Sequence, residues 1–130
     1  MHPAYLETQF DSHGFGGKWP EHFAIITAWA TTGTSKSSPA NEAANRELLC
    51  ELQCRGHWHQ PVTGYSPTTR HAEPGWAVEL SFHEACDLGL RFLQDAIYFV
   101  EVDQLFVSHC DERRGKVSIC DFRQRLIAMK

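Results

Sequence analysis

The chain has 130 residues, 42% of them apolar and 22% charged, and a formal net charge of -4. That length fits one domain, which at this size buries about two-thirds of the surface its unfolded chain exposes, and the composition is unlike the low-hydrophobicity, high-charge signature of disorder. The 12 Lys and Arg are scattered, so no basic stripe supplies the phosphate contacts that dominate nucleic-acid affinity, and nucleic acid is not an expected partner.

The longest apolar run, 23–30, falls far short of the roughly 20 residues a membrane helix needs. Met1-His2-Pro3 does not open a signal peptide. The five cysteines, Cys50, Cys54, Cys86, Cys110 and Cys120, are odd in number and lack small-scaffold spacing, which suits free thiols in a reducing compartment. A cytoplasmic protein with no membrane partner and no cofactor is the expectation.

The first 22 residues read as irregular but not polar, because Tyr5, Leu6, Phe10, Phe15 and Trp19 are spread among Gly, His and Pro. Such a segment is expected to pack on the domain. Residues 23–29 form a continuous apolar, partly β-branched run, the mark of a strand covered on both faces. A hydroxyl-rich loop, 31–38, follows, with Ser38 as the cap and Pro39 as the first residue of a helix that runs to about Arg55. Gly56 supplies its stop. Along that helix Ala44, Leu48 and Leu52 make an apolar stripe that Asn41 and Asn45 continue, while Cys50 and Cys54 project from the other side.

Residues 57–64 read weakly as a strand, and Trp76 to Leu80 reads more firmly because its large apolar residues alternate. Ser81 and Glu84 have capping-box spacing, and Ala85, Leu88, Gly89 and Phe92 mark one face of a second helix. Residues 96–102 are a further continuous apolar strand, linked by Asp103-Gln104 to another at 105–110. After a charged turn at 111–115, Val117, Ile119 and Phe122 begin a last strand or short tail. The order predicts an α+β two-layer sandwich: two helices on a mostly antiparallel sheet, in ferredoxin-like βαββαβ order with an added C-terminal hairpin. Residues 1–130 are read as a single domain, with an N-terminal segment 1–22, a core 23–110 and a C-terminal part 111–130. Two strands too apolar for one wet face require a cover on the far side, supplied by the aromatic N-terminal segment or by a second subunit.

Several of these segments together are similar to a known family. Residues 4–8 (Ala-Tyr-Leu-Glu-Thr), 23–29, Asn41 to Leu52, Glu73-Pro74 and 94–98 (Gln-Asp-Ala-Ile-Tyr) resemble, in order, the bacterial family catalogued as domain of unknown function 3293. The family pattern has Asn-Pro after the Thr-Ala-Trp strand end, where this sequence has Ala30-Thr31. The resemblance implies one bacterial domain and carries no activity with it.

The strongest candidate site is the loop between the first strand and the first helix. Backbone N–H groups and the helix dipole favour an anion there, with Lys36 and Ser38 on the loop and Asn41, Asn45 and Arg46 on the helix. It is not a Walker motif, which needs a second glycine and a Gly-Lys-Ser/Thr ending, and capping alone accounts for Ser38 and Pro39. Buried amides need partners, so Asn41 and Asn45 either hold the loop in shape, the favoured reading, or point at a ligand. Glu73, beside Arg70 and His71, is a general acid or base in one reading and a salt-bridge anchor for Arg46 in the other. Cys50, Cys54, His57 and His59 are zinc-ligand types at a spacing that does not suit zinc, and no metal is expected. The expected function is a ligand-binding or regulatory domain for a small anion or a protein. A small enzyme using Glu73 and a structural homodimer are the alternatives.

Overall fold

The computed structural model describes residues 3–29 and 38–127. Lys36 and the rest of the hydroxyl-rich loop up to Ser37 lie outside them. The chain opens with a short 3-10 helix, Pro3–Leu6, and continues through β1 (Gln9–Asp11), β2 (His22–Thr27), α1 (Ser38–Arg55), β3 (His59–Tyr65), β4 (Ala72–Val78), α2 (Phe82–Arg91), β5 (Ala96–Glu101), β6 (Gln104–His109) and β7 (Val117–Asp121). It ends with a second 3-10 helix, Phe122–Arg125, and a two-residue strand, β8 (Leu126–Ile127).

The protein is therefore α+β, with two helices on a mixed eight-strand sheet of order β7-β6-β5-β2-β4-β3-β1-β8. Among the described residues six of the seven pairings are antiparallel, and only β1 with β8 is parallel. The N-terminal segment is thus not irregular throughout: β1 pairs with β3 and lengthens the sheet. The third core strand starts at Ala72 and stops at Val78, because Pro74-Gly75 sits inside the ladder, where side-chain alternation gives no sign of pairing. The β5–β6 turn is Val102-Asp103, both at positive φ, the geometry whose twist matches a two-residue hairpin.

Alternation along the strands sorts the core into two clusters. Ala24 and Ile26 of β2 and Ile97 and Phe99 of β5 meet Leu48 and Leu52 of α1 and Ala85 and Leu88 of α2. Phe23 and Ile25 of β2 and Tyr98 and Val100 of β5 belong to the other cluster, with Phe10 and Phe122. Both faces of β2 and β5 are therefore apolar because both are covered. The far face is covered from within the chain, by Tyr5, Phe10 and Trp19 at one end and Phe122 and Leu126 at the other.

This cover forces the sheet to curl. Phe10 of β1 and Tyr98 of β5 have ring centroids 5.0 Å apart, although four strand spacings of about 4.8 Å separate their strands in the sheet order. Helix α2 also presses closely on the sheet. A Cβ at Gly89 would lie 2.6 Å from Cys110 Sγ and 2.8 Å from Ile97 Cγ2, so only glycine fits that turn of the helix.

Candidate functional site

The end of β2 is where the sequence places its site, and the topology brings several elements to it. Because β4 and β5 run antiparallel to β2, their first residues lie beside its last ones, with Gly75 opposite Thr27. The N-terminal part of α1 and the C-terminal end of α2 reach the same end of the sheet. Polar side chains there hold the departing chain. Thr27 Oγ1 donates to the Pro74 carbonyl at 2.9 Å and accepts from the Trp29 N–H at 2.9 Å. Gln94, only 6% exposed, donates through Nε2 to the Trp29 carbonyl at 2.7 Å and to the Phe92 carbonyl at 3.1 Å.

Asn41 is buried on the helix side. Asn45 Oδ1 accepts from the Trp76 indole N–H at 3.2 Å, a bond that ties α1 to β4. Ser38 opens α1. Arg46 is exposed on the solvent side of that helix, where it lines a groove of about 660 Å³ with Cys50, Cys54, Arg91 and Phe92.

Glu73 does not join the asparagines. It shares the strand parity of Ala77, whose side chain belongs to the cluster away from the helices, so it points to the opposite face of the sheet. There its Oε1 lies 3.1 Å from His71 Nε2, and the predicted anchoring to Arg46 is not what the geometry provides. Burial raises the Glu73 carboxyl above its ordinary range, while the hydrogen bond from His71 pulls it partly back. Its neighbours are phenols. Burial, with smaller contributions from Asp95 and Glu73, pushes the Tyr5 hydroxyl up to about 12, and burial raises Tyr98 as well. The Tyr98 hydroxyl donates to the Tyr5 carbonyl at 2.7 Å and lies 2.8 Å from Thr8 Oγ1. Arg125 Nη1 completes the arrangement by donating to the Leu6 carbonyl at 2.8 Å.

Two polar groups therefore flank the end of β2, one on each side of the sheet. Gln94 and Thr27 are the residues that sequence reasoning missed. Each carried a signal: Thr27 is the one hydroxyl inside the apolar run 23–29, and Gln94 stands between an apolar helix and an apolar strand.

The thiols divide by environment. Cys86 and Cys110 are buried, and burial pushes the Cys110 thiol up to about 12 and raises Cys86 too, so neither is a nucleophile. His59 Nδ1 lies 3.0 Å from the His57 carbonyl and its ring packs edge-on to Trp76. Among the described residues no three His, Cys, Asp or Glu gather as a metal site, so Cys50, Cys54, His57 and His59 do not come together as one.

A family model described as "Protein of unknown function (DUF3293)" matches residues 26–97. The chain belongs to the DUF3293 family. The match runs from β2 through both helices into β5, and so includes Asn41, Asn45, Glu73 and Gln94, while Tyr5, Thr8 and most of Tyr98's strand lie outside it. No curated protein and no solved structure matches the chain. Among the described residues no helix is long and apolar enough to cross a membrane.

Proposed function

We propose that this DUF3293 domain binds a small anionic ligand at the end of β2, where the chain leaves the sheet for α1. The observation that carries the reading is the convergence of Thr27 from β2, Asn45 from α1 and Gln94 from the segment after α2 on that one exit, with Asn41 buried one turn before Asn45. A buried polar frame costs free energy that a plain structural turn avoids, and it fixes the strand end against which a ligand would rest. Lys36 and Arg46 are the cations assigned to the anion, with the first turn of α1 supplying N–H groups. The run β5-β2-β4-β3 of the sheet order supports reading the centre as a split βαββαβ unit, two layers deep before the termini are added. Five free cysteines support a reducing, bacterial cytoplasm as its location.

The test is thermal shift and isothermal titration with inorganic phosphate, nucleotides and small carboxylates, on the protein and on Lys36→Ala and Gln94→Ala. Saturable binding that Lys36→Ala weakens is expected; silence from every anion on a folded protein overturns the reading. A protein partner docking at the same exit is the outcome to seek by co-purification in that event. The second reading, an enzyme, is favoured by the half-buried carboxyl of Glu73 near Tyr5, which burial raises above its ordinary range, a direction of shift that suits a general acid. A homodimer module has the least support, because the sheet face that called for a partner is covered by the chain's own aromatic residues.

A further inference from the structure

We propose that Cys50 and Cys54 form a two-thiolate site for a soft monovalent cation of the copper(I) or silver(I) kind. Both lie on the outer side of α1, both are exposed and free, and both line the groove that α1 shares with the end of α2. Their spacing of four places them one above the other on the helix, with Cβ atoms about 5–6 Å apart. A disulfide needs about 3.5–4.5 Å between Cβ atoms, so closing one here would deform the helix. A bridging ion has the opposite requirement. Two metal–thiolate bonds of roughly 2.3 Å each span roughly 4.6 Å between sulfurs, a gap that thiols on successive helical turns reach by rotamer choice alone.

The surroundings select the kind of ion. A tetrahedral zinc site needs four donors, and among the described residues no third His, Cys, Asp or Glu joins the pair. Two carboxylates, Glu47 and Glu51, line the same groove; Glu51 is held by Arg91 at 2.8 Å and by Arg55 at 3.2 Å, and neither joins the thiols in a group of three donors. Two thiolates without a further ligand suit a soft cation that accepts two-coordination. A monovalent ion between two thiolates leaves one net negative charge, and Arg46, one turn before Cys50 on the same groove, supplies the opposing positive charge. The remaining thiols do not compete, since Cys86 and Cys110 are buried and Cys120 stands alone on β7.

The experiment titrates reduced protein with copper(I), under exclusion of oxygen, against a chromophoric copper(I) chelator, with stoichiometry read by native mass spectrometry. One ion per chain is expected. Cys50→Ser and Cys54→Ser should each weaken binding by about a hundredfold or more through loss of the second tethered donor, and Cys120→Ser should bind as the wild type does. X-ray absorption should report two sulfur neighbours. Because the substituted positions are exposed, far-ultraviolet circular dichroism of the variants should match the parent and show that the loss is local. Binding that survives Cys50→Ser, or one ion shared by two chains, overturns the proposal. Arg46 serves both readings, but the anion screen turns on Lys36 and Gln94 and the copper titration on Cys50 and Cys54, so either reading can fail without the other.

Discussion

Glu73 is a carboxylate on the apolar side of a curled sheet, and its protonation is coupled to folding. Its folded-state pKa is raised by burial, the pull of His71 notwithstanding. In the unfolded chain the group ionises at its ordinary value, so the folded state holds the proton more tightly. The stabilising contribution is fully present below that ordinary value and is lost as the pH rises through the raised folded one. Glu73→Gln cannot titrate. It should match the parent in acid and exceed it in stability toward neutrality, with the gap opening across that window in urea unfolding series. Two curves that run parallel at all pH values would show that the carboxylate is solvated in the folded state. The same variant bears on the enzyme reading, which requires any activity found to vanish with the carboxyl while stability improves.

Helix ends show how much of an element can be read in advance. Gly56, at φ 72°, closes α1, with its N–H donating to the Leu52 and Gln53 carbonyls at 3.2 Å, and a glycine after a helical stripe announces such a stop. Helix α2 ends in the same way without the glycine. Gln94 N–H donates to the Gly89 carbonyl at 2.9 Å and Leu93 N–H to the Leu90 carbonyl at 3.0 Å, the paired bonds of a Schellman closure. The residue in the left-handed position is Leu93, at φ 60° and 79% exposed. Nothing in a leucine predicts that conformation, so the capping signal at Ser81 was legible and the end of the helix was not. The capping itself follows the sequence: Ser81 Oγ accepts from Glu84 N–H at 3.3 Å. A left-handed non-glycine residue costs roughly 1–2 kcal/mol, and the exposed side chain returns little of it. Leu93→Gly should therefore stabilise the protein by about 1 kcal/mol in denaturant unfolding. Unchanged or lower stability would mean that the leucine makes contacts its exposure conceals. The closure also aims Gln94 at the Trp29 carbonyl, so the variant tests whether the exit of β2 depends on a strained neighbour.

At the scale of the whole molecule, the unpaired apolar face was visible in 23–29 and 96–102 as strands with no wet side, but its cover was not. Periodicity reports that a face is buried; it does not report which distant segment buries it. Tyr5, Phe10 and Trp19 were legible as an apolar segment expected to pack, and Phe122 as part of a last strand or tail, but no periodicity in that tail announces that it crosses to the N-terminal segment, and β8 is only two residues long. Yet Phe122 is 2% exposed and its ring meets Phe10, Trp19 and Phe23 at centroid distances of 5.8, 5.3 and 5.3 Å. It joins the two termini into one cap, which β8 on β1 and Arg125 on the Leu6 carbonyl extend. Phe122→Ala should cost about 3–5 kcal/mol, a large share of a total that for a domain is about 5–15 kcal/mol. The loss should also be uneven. Amides of β1 and β8 should exchange with solvent faster in the variant by more than global unfolding accounts for, while those of α2 and β5, held from the helix side through Leu88 and Ile97, should follow the global change alone. Uniform loss of protection across the sheet would mean that the cap and the helical layer unfold as one unit. That outcome would make the aromatic face as much a part of the core as the helical one, and the curl a condition of folding rather than its consequence.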